Sequence, residues 1–196
     1  MTCVRPVRRC GQPWAAAAAE VAKETLLNWL RALGMASPAF LALDRDALGC
    51  ATVPLTRLAR RFAEAGVRFV ELSHGNWDHH RNMATDLPAR CNEIDKPISG
   101  LLTDLKRRDM LKDTLVIWAG EFGRTPRLND DARGPGRDHW KNAFSLTVGG
   151  GGIKTGMVLG ATDKHAAEIT ERPVSVPDFA ATVYHALGLD SKAELK

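Results

Sequence analysis

The sequence predicts an α/β fold with a largely parallel sheet flanked by helices. Two apolar segments, VRFVELS at 67–73 and TLVIWAG at 114–120, are typical of strands. The second is a near-continuous hydrophobic run, which indicates a strand buried on both faces of a sheet. A long amphipathic segment separates them, so the order strand, helix, strand predicts a right-handed βαβ unit.

The first 50 residues carry much weaker signals than the rest. A helix is predicted from Ala15 to Leu33, while 35–50 shows neither a clear period nor strong turn chemistry. We therefore divide the chain into a poorly defined segment, 1–50, and an α/β domain, 51–196. The alanine run near the start is too short for the apolar part of a signal peptide, so we expect no export signal in this chain.

Two amphipathic helices are predicted in the α/β domain. The first begins near Leu55, places Leu58 and Phe62 on the same face and stops at Gly66, directly before the strand at 67–73. The second follows that strand after a polar turn. Its apolar face consists of Ile94, Ile98, Leu101, Leu102 and Leu105.

The remaining third of the chain begins with an unusually long polar loop. Residues 121–142 are rich in Gly, Pro, Asp and Arg, and loops of this length are typically functional or disordered. Beyond it we predict a strand at 143–152, a short strand at 156–162 and a closing helix at 177–189. The inward side of that helix is expected to carry Phe179, Val183 and Leu187.

Composition excludes several classes of protein. No apolar run approaches the roughly 20 residues needed to span a bilayer. The net charge is +4 over 196 residues, but the basic residues are scattered and lack interleaved stacking aromatics, so we expect no nucleic-acid partner. The four cysteines show no CxxC spacing and no cluster with histidine, which favours free thiols over a zinc knuckle.

Acidic and histidine side chains follow both predicted strands of the βαβ unit. Asp78 and His80 come after the first strand, Glu121 comes after the second, and His139 lies in the long loop. Ligands in parallel α/β sheets bind beyond the carboxyl ends of the strands, so these residues should meet at one edge. Carboxylate and imidazole groups are ligands of divalent metals, and the sequence therefore predicts a metal site there.

Each of these segments also has an alternative interpretation. WDHHRN could be a capping turn in which Asp78 or Asn82 starts the next helix. Glu121 could pair with Arg124 or Arg127 on the surface, and the segment around His139 could be a turn.

Several other polar residues remain outside the predicted site. His74 is expected to be a hydrogen-bonding neighbour rather than a ligand, while His165 and His185 are expected to be unrelated to it. The glycines at 149–152 lack a phosphate-loop pattern and predict a turn at the end of a strand.

Six motifs together resemble the domain-of-unknown-function family 1501. They are WDHHRN, VIWAGEFGRTP, GRDHW, VGGGGIKTG, GATD and PVSVPDFAATVYHALGLD, which lie in this order between Leu55 and Asp190. The family is placed in the alkaline-phosphatase-like, sulfatase-like superfamily and is abundant in planctomycete-type bacteria. The resemblance implies an alkaline-phosphatase-like core, small-molecule or glycan sulfate or phosphate esters as substrates, and exported relatives.

The resemblance also implies roles for individual residues. In such enzymes two metal ions, commonly zinc, calcium or manganese, activate a Ser, Thr or modified Cys nucleophile. Asp78 and His80 match the Asp/His pair of one metal site, Glu121 and His139 match further ligands, and Arg124 matches an anion-binding group.

The chain also departs from the family pattern. Phe122 stands where relatives have a histidine, and the glycine-rich segment near the nucleophile is missing from these residues. The sheet is therefore expected to be incomplete, with an exposed edge through which the chain could self-associate.

Two functional hypotheses follow from the sequence. The first is a metal-dependent ester hydrolase domain, a fragment that lacks its nucleophile segment. The second is a truncated or decayed remnant that acts as a non-catalytic binding module or has no discrete function.

Overall fold

A computed structural model describes residues 40–44 and 52–190, with side chains from Leu55 onward. The predicted helix at 15–33 lies outside these residues, as do Cys3, Cys10 and Cys50. Contacts divide the chain into two compact units. Among the described residues, the first unit contains 40–44, 52–77 and 88–104, and the second contains 78–87 and 105–190.

The first unit contains a parallel strand pair joined by a helix. Strand β1 (Phe40–Asp44) pairs in parallel with β2 (Phe69–Ser73), with Phe40 opposite Phe69, and helix α1 (Thr52–Glu64) lies between them in sequence. The predicted helix-to-strand order is thus confirmed. Gly66 follows the helix with a φ of 88°, a left-handed conformation that glycine adopts without steric cost.

The core of this unit lies between α1 and β2. Leu55, Phe62 and Val67 are buried together, and Leu58, Val70 and Leu72 pack against them. The sequence predicted the face that carries Leu55, Leu58 and Phe62. Burying a side chain of the size of Phe62 stabilises a fold by about 1.5–3 kcal/mol.

Helix α2 (Met83–Arg107) is the long amphipathic helix predicted from the sequence, and its residues are shared between the two units. Ile94 and Leu105 are buried and the other three residues of the predicted apolar face are half-buried. Its ends also suit the helix dipole, because Asp86 lies in the first turn and Lys106 and Arg107 lie in the last.

The second unit contains three small antiparallel sheets. Strand β3 (Val116–Trp118) pairs with β6 (Thr147–Gly149), β4 (Gly123–Arg124) with β5 (His139–Trp140), and β7 (Ala161–Thr162) with β8 (Ile169–Glu171). The strand predicted at 156–162 is thus confined to its last two residues.

The two strands of the predicted βαβ unit do not pair with each other among the described residues, and each lies in a different sheet. β2 pairs with β1, whereas β3 pairs antiparallel with β6. Ile117 and Trp118 on β3 are 40% and 51% exposed, so burial of both faces, inferred from their hydrophobicity, is not seen at this strand. The largely parallel, alkaline-phosphatase-like sheet stays a prediction.

The closing helix α3 (Val176–Ala186) has well-defined ends. Ser175 and Asp178 form a reciprocal capping box at its start. At its end Gly188 has a φ of 74°, and the amide of Leu189 donates to the carbonyl of Tyr184, as in a Schellman motif. Phe179 and Val183 are half-buried as predicted, but Leu187, which is the C-cap of the helix, is 38% exposed.

Cys91 on α2 is a free, exposed thiol, as the cysteine spacing predicted.

In the described part of the chain, no helix is both long and apolar enough to cross a membrane.

Candidate metal centre

Asp78 and His80 face each other across a tight turn. The amide of His80 donates to the carbonyl of Asp78 at 3.0 Å, and Nε2 of His80 lies 3.0 Å from Oδ1 of Asp78. The alternative expectation that Asn82 starts the next helix also holds, because its carbonyl accepts from the amides of Thr85 and Asp86 at the start of α2. The side chain of Asp78 contacts the histidines and is not part of the helix start.

The β4–β5 ladder brings the long loop to the same place. Arg124 and His139 are direct cross-strand partners, and the amide of Thr125 extends the ladder by donating to the carbonyl of Asp138 at 2.8 Å. Nε2 of His139 lies 2.8 Å from Oδ1 of Asp78. Residues 61 positions apart in sequence are thus in hydrogen-bond contact.

Backbone contacts fix the loop against the turn. The amide of Arg137 donates to the carbonyl of His79 at 2.9 Å, and the amide of Asn82 donates to the carbonyl of Gly134 at 3.0 Å. A Cβ atom at Gly136 would lie 2.1 Å from the carbonyl carbon of His80. Only glycine fits at position 136 while the two segments keep this approach.

Asp78, His80 and His139 form a candidate ligand triad. One donor atom from each lies within 4.8 Å of the others, and the rings of His80 and His139 stack with centroids 5.2 Å apart. The three side chains are between 42% and 56% exposed, so solvent reaches the centre.

The donor set fits a divalent metal. Two imidazole nitrogens and one carboxylate oxygen are the three-ligand pattern of open zinc sites, which keep a fourth position for water or substrate. Ligands of a tetrahedral zinc ion are about 3.3 Å apart. The separations of 2.8 and 3.0 Å from the Asp78 oxygen would therefore open by only a few tenths of an ångström.

The charged groups of the centre shift the pKa of Asp78 and that of His80 in opposite directions. The hydrogen bond from His139, and then the charges of His80, His139 and Arg124, hold the pKa of Asp78 below its usual value. The hydrogen bond to Asp138, followed by the charge of Asp78, raises the pKa of His80. The triad without metal thus favours an ionised carboxylate beside a protonated imidazole.

Glu121 lies at the edge of the centre and binds Arg124. Both terminal nitrogens of Arg124 lie 3.0 Å from Oε1 of Glu121, as the surface-pair alternative predicted. The same oxygen is 3.7 Å from Nε2 of His139, and it falls outside the triad. Its own backbone amide and then Arg124 lower the pKa of Glu121, so the carboxylate is ionised.

Arg124 also approaches the triad directly. Its Nη2 atom is 3.5 Å from Oδ1 of Asp78, and its side chain is 23% exposed. The structure thus places all five residues proposed from the sequence in the second unit, with Asp78, His80 and His139 as the triad and Glu121 and Arg124 as an adjoining ion pair. The ring of Phe122 lies 5.9 Å from that of His139 and offers no donor.

One family model matches a segment of the chain that includes every residue of this centre. A family model described as "Protein of unknown function (DUF1501)" matches residues 52–196. The chain belongs to the DUF1501 family. No curated protein and no solved structure matches the chain.

The DUF1501 chain contains two further polar residues at the centre that were not assigned from the sequence. Oδ1 of Asp138 lies 2.7 Å from Nδ1 of His80, and Nδ2 of Asn129 donates to the carbonyl of His80 at 2.8 Å. Asp138 directly precedes His139 in GRDHW, which is a usable signal. Asn129 carries no such signal, because it meets His80 only in the folded chain.

Three other histidines of the DUF1501 chain lie in different surroundings. Nδ1 of His74 accepts from the indole of Trp77 at 3.0 Å, and its Nε2 lies 3.2 Å from Glu93, all within the first unit. His165 lies in the turn between β7 and β8, and His185 lies on α3. Neither belongs to the triad.

The glycine-rich segment is a turn after β6, as predicted. Gly150, Gly151 and Gly152 have φ values of 75°, 53° and 79°, a region that side chains disfavour. The amide of Gly151 donates to the carbonyl of Leu111, and a Cβ at Gly150 would lie 2.2 Å from the carbonyl oxygen of Thr114. The glycines therefore allow close packing against 111–115.

Proposed function

We propose that this DUF1501 domain is a metal-dependent phosphate or sulfate ester hydrolase of the alkaline-phosphatase-like, sulfatase-like superfamily. The observation that carries the proposal is the convergence of two imidazole Nε2 atoms on one oxygen of Asp78, at 3.0 and 2.8 Å. These ligands come from separate segments, 78–80 and 139, held together by backbone contacts. Zinc, calcium and manganese are the metals we consider, and the imidazole pair favours zinc.

The proposed ligands are Asp78, His80 and His139, with Glu121 as a fourth group that could join them. When bound, a divalent metal supplies Lewis acidity toward an ester oxygen and lowers the pKa of a coordinated water. The ionised Asp78 contributes the negative charge that favours a cation at this position. The exposure of the triad leaves room for a small-molecule or glycan ester.

Arg124 is the proposed anion-binding group. Its guanidinium lies between Glu121 and Asp78, at 3.0 and 3.5 Å, and is the cation beside the ligands. A planar guanidinium can donate two parallel hydrogen bonds to a tetrahedral oxyanion. It would orient the sulfate or phosphate group toward the open side of the triad.

The experiment measures metal binding and ester hydrolysis separately. Metal-free protein is titrated with zinc, manganese and calcium by calorimetry, and each form is then assayed with an aryl phosphate and an aryl sulfate. His80→Ala should abolish binding and turnover. His165→Ala, which removes an exposed histidine outside the triad, is the matched control and should change neither.

A metal-dependent binding module without catalysis is the second candidate, and the environment of Thr125 favours it. Its hydroxyl donates to the carbonyl of Arg127 at 2.9 Å and accepts from the amide of Asp138 at 3.1 Å. A hydroxyl held in two backbone hydrogen bonds is poorly placed to act as a nucleophile. Binding of metal and of inorganic sulfate or phosphate with no turnover of either ester would select this candidate.

A further inference from the structure

Asp138 contacts the Nδ1 edge of the His80 ring, whereas the proposed metal would bind at Nε2. Its Oδ1 lies 2.7 Å from Nδ1, whereas Nε2 of the same ring lies 3.0 Å from Asp78. An imidazole ligand binds a metal through a nitrogen without a proton, so its other nitrogen must carry one. A carboxylate that accepts at Nδ1 fixes the proton there and leaves the lone pair of Nε2 to the metal.

Asn129 connects the backbone of His80 to Asp138. Its Nδ2 donates to the carbonyl of His80 at 2.8 Å and approaches Oδ1 of Asp138 at 3.4 Å, while its Oδ1 accepts from the amide of Gly136 at 2.9 Å. One amide side chain thus contacts both partners of the Asp138–His80 bond. It also fixes the loop that carries Asp138.

Two hydrogen bonds to Thr125 hold the backbone of Asp138. Its amide donates to the hydroxyl of Thr125 at 3.1 Å, and its carbonyl accepts from the amide of Thr125 at 2.8 Å. Because both backbone groups are bonded to Thr125, directly after β4, the backbone that carries the carboxylate is fixed beside His80. The carboxylate itself contacts Nδ1 of His80 at 2.7 Å.

We propose that Asp138 and Asn129 are positioning residues that hold His80 as an Nε2 metal ligand. This inference rests on the proposed function in taking Asp78, His80 and His139 as the metal ligands. Neither residue is itself a ligand, and both act through the ring or the backbone of His80. Partners of this kind are worth about 10–100-fold in metal affinity in known metal sites.

The test combines zinc affinity with the tautomer of His80. Zinc binding is measured by competition with a chelator for the wild type, Asp138→Asn and Asn129→Asp, and we expect a 10–100-fold loss in both variants. Asp130→Asn changes an exposed carboxylate of the same loop and is the matched control, expected to stay within about twofold of the wild type. Equal affinity in all four proteins would overturn the proposal.

Nitrogen NMR of the His80 ring in metal-free protein gives the second readout. At a pH where the ring is neutral, we expect the proton on Nδ1 in the wild type and a shift of population to Nε2–H in Asp138→Asn. A wild type that binds no zinc but shows the Nδ1–H form would overturn zinc ligation by the triad, while confirming that Asp138 fixes the tautomer of His80. An Nε2–H form in the wild type would overturn the positioning role, whatever the zinc affinity.

Discussion

Nε2 of His139 lies 2.8 Å from the same Asp78 oxygen that Nε2 of His80 approaches at 3.0 Å. One carboxylate oxygen thus lies within hydrogen-bond distance of both stacked imidazoles, so a metal bound here would compete with protons for the ring nitrogens. Metal binding and proton release at this centre are therefore expected to be linked.

The first prediction concerns this linkage. Because contact with Asp138 and Asp78 raises the pKa of His80, zinc must displace a proton from its ring at any pH below that pKa. We expect zinc affinity to rise with pH until His80 is deprotonated. Calorimetry in buffers of different ionisation enthalpy would count the protons released, and a count near zero at pH 6 would contradict the prediction.

The first prediction has a second part, because the same raised pKa determines how the metal-free centre responds to pH. A group whose pKa is higher in the folded than in the unfolded protein contributes stability below its unfolded pKa, and this contribution is lost as pH rises through the folded value. His80→Ala should therefore lower the melting temperature of metal-free protein more at pH 6 than at pH 9. A constant difference across this range would show that the ion pairs of His80 add nothing to folding.

The second prediction concerns Gly136. A Cβ atom there would lie within 2.1–2.3 Å of backbone atoms of His79 and His80, so Gly136→Ala must separate the loop from the turn. We expect a loss of about 1–3 kcal/mol in the free energy of unfolding, as for overpacked sites. Zinc affinity should fall as well. Gly100→Ala, where a Cβ meets nothing within 4 Å, is the control; it should keep wild-type zinc affinity.

The third prediction concerns the loop ion pair of Asp131. The hydrogen bonds from the side chain and amide of Arg133 lower the pKa of Asp131 to about 2. A depressed carboxyl pKa contributes stability above its ordinary value of 3.8, and this is lost as pH falls toward 2. Asp131→Asn should lower the melting temperature at pH 7 and match the wild type near pH 2; an equal difference at both pH values would refute this.

The fourth prediction separates stability from the metal centre. Phe62 is 1% exposed in the core of the first unit, so Phe62→Ala should cost about 3–5 kcal/mol in urea unfolding. Phe69→Ala, at a 42% exposed position, should cost clearly less. Under conditions where each variant remains folded, zinc affinity should equal that of the wild type, because neither residue belongs to the triad.

The fifth prediction concerns self-association. Ile117 and Trp118 leave large apolar side chains exposed on the short strand β3, a feature that promotes contact with a second copy. We expect concentration-dependent dimers in analytical ultracentrifugation, weakened about tenfold by Trp118→Thr. Leu128→Thr, at an equally exposed loop position, is the control. A monomer at all concentrations would contradict the prediction.

The sequence by itself determined the local elements and the chemistry of the donors. Helical spacing of Leu55, Leu58 and Phe62 identified the buried face of α1, since a helix has a fixed period and one apolar side. Asp78, His80 and His139 were identified as candidate ligands because carboxylate and imidazole are the groups that bind divalent metals.

Only the tertiary structure decided which of these groups meet, and with which partners. Strand pairing depends on neighbours distant in sequence, so β3 pairs with β6 although its apolar run favoured a parallel sheet buried on both faces. Glu121 binds Arg124 and lies beside the triad, while Asp138 and Asn129 join His80 through hydrogen bonds spanning 58 and 49 residues. The geometry of such bonds is set by the fold, because no local period or motif relates residues so far apart.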